Sequence, residues 1–239
     1  MRLDRYMADM SIGTRKEIGM MIRKGRVTVN GTTAKDAAMQ VSPDTPVFVD
    51  GTPIPYEEWT YLIMNKPCGV ISATEDPRQK TVLDLLPKIR RKDLFPVGRL
   101  DIDTTGLLLI TNDGALSHRL LSPKRHVDKT YEVMLEKPVG SGDPAAFAAG
   151  LVIPKDADGD GFTALPAKLV EGDSPKHVFV TIREGKYHQV KRMFAARGNK
   201  VLSLKRLTMG SLSLDPELHE GEYRRLTGAE IKALKEETL

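Results

Sequence analysis

Arg99, Asp101 and Asp103 stand just ahead of Gly106-Leu-Leu-Leu-Ile110, the most apolar stretch of the 239-residue chain. Pro96 and Gly98 prepare a bend, and the apolar run reads as a buried strand before the turn Asn112-Asp113-Gly114, so the charged trio falls on a loop braced by core. Side chains so placed are exposed yet held firmly, as catalytic groups must be. A lone loop aspartate more often bonds nearby backbone, so corroboration has to come from elsewhere in the chain. Two segments supply it. Lys129-Thr-Tyr131 opens a strand and presents an aromatic ring beside a cation. Residues 182–194, IREGKYHQVKRMF, gather Arg183, Lys186, Lys191 and Arg192 at a strand-to-helix junction, with Val190, Met193 and Phe194 on its apolar side. An aspartate, a tyrosine and a cation form the set that work on an extruded nucleobase requires. They supply a nucleophile or base, a stacking platform and a counter-charge that keeps the carboxylate ionised.

The elements that must position these groups are also legible. Leu3, Tyr6, Met7 and Met10 have the i, i+3, i+4, i+7 spacing of one buried helical stripe. Thr14-Arg-Lys-Glu17 has the capping-box form, Ile18, Met21 and Ile22 give the second helix its apolar face, and Gly25 ends it. RVTVNGTTAK predicts a strand turning at Asn30-Gly31, and this small sheet closes near VFVDG. Residues 51–59, GTPIPYEEW, hold two prolines, a glycine and two acids and read as a linker. The expected division is 1–58 for the small module with its linker and 59–239 for a second domain. That domain opens with the strand YLIMN and continues with TYEVMLE, HVFVTIR and KVLSLKRL among helical segments such as HQVKRMFAARG. The irregular order favours an α+β fold with a mixed, largely antiparallel sheet flanked by helices.

Charge is modest overall, 36 basic against 32 acidic residues, but unevenly spread. Residues 1–35 hold eight basic groups, namely Arg2, Arg5, Arg15, Lys16, Arg23, Lys24, Arg26 and Lys35, against Asp4, Asp9 and Glu17. A single cysteine, Cys68, excludes an internal disulfide and a thiolate metal cluster and fits a reducing, cytoplasmic setting. MRLDRYMADM lacks the apolar core of a signal peptide, and no run approaches the roughly 20 apolar residues of a bilayer span. A soluble protein is expected.

Taken together, the motifs resemble those of the RsuA family of bacterial pseudouridine synthases, which isomerise uridine in ribosomal RNA, and the likeness covers nearly the whole chain. Gly98-Arg-Leu-Asp101, continued as DTTGLLLITNDG, matches the family's GRLD motif. Lys129-Thr-Tyr131 matches the second motif, and Glu184-Gly-Lys-Tyr-His-Gln-Val-Lys-Arg-Met193 the third. The basic helix pair and NG turn resemble an S4 RNA-binding domain. Residues 122–131 together with HQVKRMF are most similar to the family's small-subunit (16S) rRNA enzymes.

The resemblance implies that Asp101 is the essential acid, attacking C1′ of the ribose or removing the C2′ proton to give a glycal. Lys191 is the first candidate for its cationic partner and Arg192 the second. Tyr131 would stack on the flipped uracil, Ile182 would form the opposite wall, and Arg99 would fill the vacated space or bind a phosphate, its bland alternative being an ion pair with Asp103. Asp103 itself is assigned to structure. Arg2, Arg5, Arg15, Lys16, Arg23, Lys24 and Arg26, with Lys124, Arg125, Lys186 and Arg192, would contact phosphates. No cofactor and no metal are expected, no membrane is involved, the partner is ribosomal RNA or an assembling small subunit, and the chain is expected to be monomeric.

Rival signals are weaker. Asp156-Ala-Asp-Gly-Asp-Gly161 resembles half a calcium loop, but position twelve is Ala167. Cys68 has no base near it in sequence, His188 reads as a packing or RNA-contact residue, and Asp101 and Asp103 stand too close together for a two-carboxylate glycosidase. A non-catalytic RNA-binding protein on the same fold is the remaining alternative; an acid in an RNA-facing cleft, where it repels phosphate, argues against it.

Overall fold

The computed structural model describes residues 1–87, 93–122, 125–155 and 159–238, so the expected phosphate contact Lys124 and residues 156–158 of the calcium-like stretch lie outside the described residues. The chain divides into two compact units, Met1–Thr60 with Leu86–Leu94, and Tyr61–Leu85 with Phe95–Leu239.

In the first unit, helices α1 (Leu3–Asp9) and α2 (Arg15–Arg23) precede a four-stranded sheet of β1 (Val27–Val29), β2 (Thr32–Thr33), β3 (Val47–Val49) and β4 (Thr52–Pro53), in the order β2-β1-β3-β4. The capping box forms: Thr14 accepts from the Glu17 N–H, and the Glu17 carboxylate accepts from the Thr14 N–H at 2.7 Å. Such a cap contributes about 1 kcal/mol. Leu3, Tyr6, Met7 and Ile18 are fully buried together with Val27. Asn30 and Gly31 both have positive φ, 50° and 77°, as a tight two-residue hairpin turn demands.

The segment expected as a linker is in large part not one. Thr52–Pro53 is the edge strand of the module's sheet, and Ile54 and Tyr56 pack on its core. The Tyr6 hydroxyl donates to the Ile54 carbonyl at 2.7 Å, and its ring lies 4.9 Å from that of Tyr56. Proline is compatible with this position because an edge strand leaves one row of N–H groups unused.

The second unit is built on one sheet. Its strands are β5 (Tyr61–Lys66), β6 (Phe95–Pro96), β7 (Thr104–Thr111), β8 (Lys129–Leu135), β11 (Lys168–Ser174), β12 (His177–Ile182), β13 (Val201–Met209), β14 (Leu212–Ser213) and β15 (Tyr223–Arg225), with a separate hairpin of β9 (Val152–Ile153) and β10 (Phe162–Thr163). The order is β11-β12-β8-β13-β7-β5-β15, with β14 beside β13 and β6 beside β7; β13 runs parallel to β7 and the other pairs are antiparallel. Helices α3 (Gly114–Leu121), α4 (Asp143–Ala149), α5 (Gln189–Ala196) and α6 (Gly228–Glu236) complete the unit. The sheet is therefore mixed and largely antiparallel.

Burial follows the sequence pattern. Every residue of β5 is buried, which explains its unbroken apolar run, whereas β8 and β12 alternate. The predicted turn 112–114 also starts a helix, since the Asp113 carboxylate accepts from the Leu116 N–H at 2.9 Å as the N-cap of α3. At Gly106 (φ 99°) a Cβ would stand 2.3 Å from the Arg206 carbonyl oxygen, so only glycine lets β7 approach β13. Among the described residues no helix is long and apolar enough to cross a membrane.

Candidate active site

The loop ahead of β7 is fixed from beneath. Lys66, fully buried at the end of β5, donates to the carbonyls of Pro67 (3.0 Å), Asp101 (3.0 Å) and Thr104 (2.9 Å), with that of Ile102 farther off at 3.5 Å. The Ser72 hydroxyl donates to the Leu100 carbonyl at 2.9 Å and accepts from its N–H at 3.0 Å. The Gly69 N–H adds a bond to the Ile102 carbonyl, and the Thr104 N–H closes the loop onto the Asp101 carbonyl. Asp101 thus stands on a backbone whose carbonyls are tied down one by one. Burial pushes the Lys66 ammonium down to about 8, although Cys68, Asp101, Asp103 and Glu220 pull the other way.

From the opposite side comes the start of α5. Lys191 Nζ lies 3.1 Å from Asp101 Oδ2 and 2.6 Å from Asp103 Oδ1, so one ammonium serves two carboxylates. Burial opposes the charge on Lys191, but its hydrogen bonds to Asp103 and Asp101 and their negative charges prevail and raise it above the ordinary lysine range. For Asp103 the balance is the mirror image: burial disfavours ionisation, and the Lys191 hydrogen bond and charge more than offset it. His188, the residue before α5, is in the left-handed region (φ 50°, ψ 29°), with its Nε2 at 3.7 Å from Asp101 Oδ1. A non-glycine residue held there is uncommon, and such residues cluster at functional sites.

A pocket opens beside Asp101, with Arg99, Tyr131, Ile182, His188 and Gln189 among its walls. Tyr131 and Ile182 are both buried and belong to the same face of the sheet, because β8 and β12 pair with Val180 opposite Tyr131 and Ile182 opposite Lys129. Gln189 is buried and bonds the Glu184 carboxylate at 2.8 Å, which stiffens the turn into α5.

Of the two candidate partners for Asp101, Lys191 makes the contact and Arg192 does not. Adjacent residues on a helix point about 100° apart, so only one can face the loop. Arg192 is buried and donates from one guanidinium nitrogen to the carbonyls of Pro154, Gly159 and Asp160 at 2.9–3.2 Å. The expectation that it contacts substrate or phosphate is corrected accordingly, since those three backbone acceptors occupy it. Asp103, assigned to structure from the sequence, shares the Lys191 ammonium, and Arg99 is exposed and, among the described residues, makes no ion pair with it. Lys66 and Ser72 went unrecognised as parts of the site, and His188, read from the sequence as a packing or RNA-contact residue, stands 3.7 Å from the Asp101 carboxylate. Their partners lie 28 to 87 residues away, a separation that no local pattern reports.

The remaining cations are on the surface. Arg15, Lys16, Arg23 and Lys24 are exposed along and just after α2. Arg2 pairs with Asp4 at 2.7 Å, Arg5 with Asp9 at 3.7 Å, and Arg26 with Asp50. Arg125 is exposed, and Lys186 is exposed with its amine on the Thr163 carbonyl at 3.1 Å. Cys68 is exposed as well.

Comparison with known proteins bears on this geometry. The RNA pseudouridylate synthase family model matches residues 60–196, and the S4 domain model matches residues 1–47. The chain is 51% identical to the uncharacterised RNA pseudouridine synthase YtzG of Bacillus subtilis, with 99% of each chain covered. It is 45% identical to ribosomal small subunit pseudouridine synthase A of Salmonella typhimurium and 44% identical to that of Escherichia coli K12, covering 98% of this chain and 100% of theirs. A crystal structure of a pseudouridylate synthase superposes with a TM-score of 0.67 at 40% identity, over 98% of this chain and 99% of that one.

Proposed function

The chain belongs to the RNA pseudouridylate synthase family, with an S4 domain at its N-terminus, and on that premise we propose that it converts a specific uridine of 16S rRNA, the small-subunit RNA, to pseudouridine. The enzyme class itself, an isomerase acting on RNA, follows from the family and the full-length relatives. The small-subunit target is supported by the names of the relatives from Salmonella and Escherichia coli, which match along the whole chain.

The observation that carries the reading is the Asp101–Lys191 pair, 3.1 Å apart, at a pocket walled by Tyr131 and Ile182. The uridine leaves its stack, at an expense of a few kcal/mol that is least in a non-duplex region. Its base enters between the Tyr131 ring and the Ile182 side chain. The C1′–N1 bond must break and a C1′–C5 bond form, with N1 gaining a proton and C5 losing one. Ionised Asp101 begins either of two routes, attack on C1′ or removal of the C2′ proton to give a glycal. Lys191 holds that carboxylate charged and aimed. Tyr131 offers a stacking face and a phenol oxygen near the C5 proton. Arg99 enters the space that the nucleotide vacates, or binds its phosphate. The rearrangement needs no cofactor.

We assign residues 1–58 to RNA capture and 59–239 to catalysis, with Arg2, Arg5, Arg15, Lys16, Arg23, Lys24 and Arg26, and in the larger part Lys124, Arg125 and Lys186, on phosphates. The chain acts as a cytoplasmic monomer. The test is small-subunit rRNA tritiated at uracil C5. Tritium released by the unaltered chain and not by Asp101→Asn is expected; no release from naked or partly assembled small-subunit RNA would overturn the reading.

A further inference from the structure

We propose that Tyr187, backed by His188, is a stacking subsite for the unpaired RNA base next to the uridine that enters the pocket. The proposal rests on the reading that a uridine within an RNA strand reaches Asp101.

Tyr187 is 58% exposed. Its ring stacks on the His188 imidazole, with centroids 3.8 Å apart and planes inclined by 21°. One face is covered by that imidazole, and more than half of the residue stays exposed. His188 in turn lines the pocket and reaches to 3.7 Å from the Asp101 carboxylate. Tyr187 therefore stacks on a residue that lines the pocket beside the reacting acid. The flipped nucleotide stays joined to its neighbours through single phosphates, so a ring beside the pocket wall is within reach of the base next to the one at Asp101.

Two further observations favour a base over any other occupant. Lys186, the preceding residue and also a pocket wall, is held by the Thr163 carbonyl at 3.1 Å, lies 4.4 Å over the Phe162 ring and stands 3.5 Å from the Glu184 carboxylate. A lysine with a fixed ammonium, next in the chain to an exposed aromatic residue, is a pairing that takes a phosphate and a base of the same strand. In addition, the backbone of His188 is in the left-handed region. The fold maintains an unfavourable conformation at the one residue that joins Asp101 to Tyr187.

The test uses a short synthetic RNA spanning the uridine that the unaltered chain modifies in small-subunit rRNA, remade with an abasic ribose at each flanking position in turn. Tyr187→Ala is expected to raise KM about tenfold, as loss of one base–aromatic stack does, with the loss in KM and not in kcat. Tyr187→Phe, which keeps the ring, restores KM. The abasic substitution on one flank raises KM for the unaltered chain and adds nothing for Tyr187→Ala, because both remove the same contact. The subsite is overturned if Tyr187→Ala leaves KM within twofold, if Phe fails to restore it, or if the abasic and alanine effects multiply. Absence of any pseudouridine from the unaltered chain overturns instead the reading beneath, and this inference with it.

Discussion

The N-terminal basic face and the cleft at Asp101 both use lysine and arginine, in opposite ways. On the first unit the cations are exposed, several are paired with single acids on the surface, and each resembles the next; Arg5, for example, is 70% exposed in its pair with Asp9. Exposed pairs of this kind are screened by solvent and contribute little, so none is indispensable. In the cleft one ammonium, 24% exposed, serves two carboxylates from a helix start, above a loop that a buried lysine ties down. The difference is between redundancy and uniqueness. Attraction to a polyanion sums over many charges, while bond breaking at one carbon needs one oxygen in one place.

The comparison breaks most visibly at Asp101. Asp101→Asn keeps the shape and removes the charge, and pseudouridine formation should fall roughly 10³-fold or more, with RNA affinity unchanged or slightly higher because a negative charge near phosphate is gone. Single-turnover rates and filter binding on the same RNA would separate the two. A variant that lost binding and rate together would make Asp101 a binding contact rather than the reacting acid.

Next in size is Lys191→Met. Removing the shared ammonium leaves the Asp101 and Asp103 carboxylates without their common partner, and a loss of about 10²-fold in kcat is expected. Arg192→Met should behave otherwise. Its guanidinium bonds the carbonyls at 154, 159 and 160, so the damage should appear as lowered thermal stability, with the rate of the folded fraction preserved. Equal kcat losses for the two variants would mean that both side chains act at Asp101.

The phase of α5 marks the boundary of what the sequence discloses. The Thr14–Glu17 cap, the stripe at Leu3, Tyr6 and Met7, and the alternation of β8 and β12 are local and were readable from spacing. The loop that carries Asp101 was readable because a bend and an apolar run fix where it stops, while the role of the acid came from the family resemblance. Whether Lys191 or Arg192 turns toward it depends on how α5 seats against β9 and β13, which spacing alone leaves undetermined. Lys66 is hidden for a different reason: its acceptors are backbone carbonyls 35 to 38 residues away, and carbonyls carry no sequence signature. The prolines at 53 and 55 pointed to a linker, yet an edge strand accepts proline at 53, and burial of Ile54 and Tyr56 was the stronger influence.

Lys66 gives the comparison a pH dependence. Its ammonium titrates near 8 in the folded chain against 10.5 when free, because burial disfavours the charge. Between those values the unfolded chain binds more protons, so this group's contribution to stability rises with pH across the window. Its hold on the Asp101 loop has the opposite sign, since the neutral amine has fewer hydrogens for the carbonyls of 67, 101 and 104. Catalysis should therefore decline several-fold from pH 7 to pH 9 with no fall in melting temperature from this source, and RNA binding by the exposed arginines should not follow the decline. Single-turnover rates, thermal unfolding and binding at the two pH values check it. Lys66→Met should have a lower rate and a flatter profile over this range.

The smallest effects belong to the basic face. Arg15→Ala, Lys16→Ala or Arg23→Ala should each weaken RNA binding about two- to fivefold, reduce the slope of log K against log salt by about 1, and leave single-turnover kcat at saturating RNA unaltered. Arg26→Ala is expected to do least, because the Arg26 guanidinium is already engaged by Asp50 and can offer a phosphate only what that pair releases. Combining Arg15, Lys16 and Arg23 should multiply the single effects, as independent phosphate contacts do. If one of these substitutions alone removed most of the affinity, the face would be a specific site like the cleft. The salt slope, falling by far more than one charge accounts for, would be where that showed first.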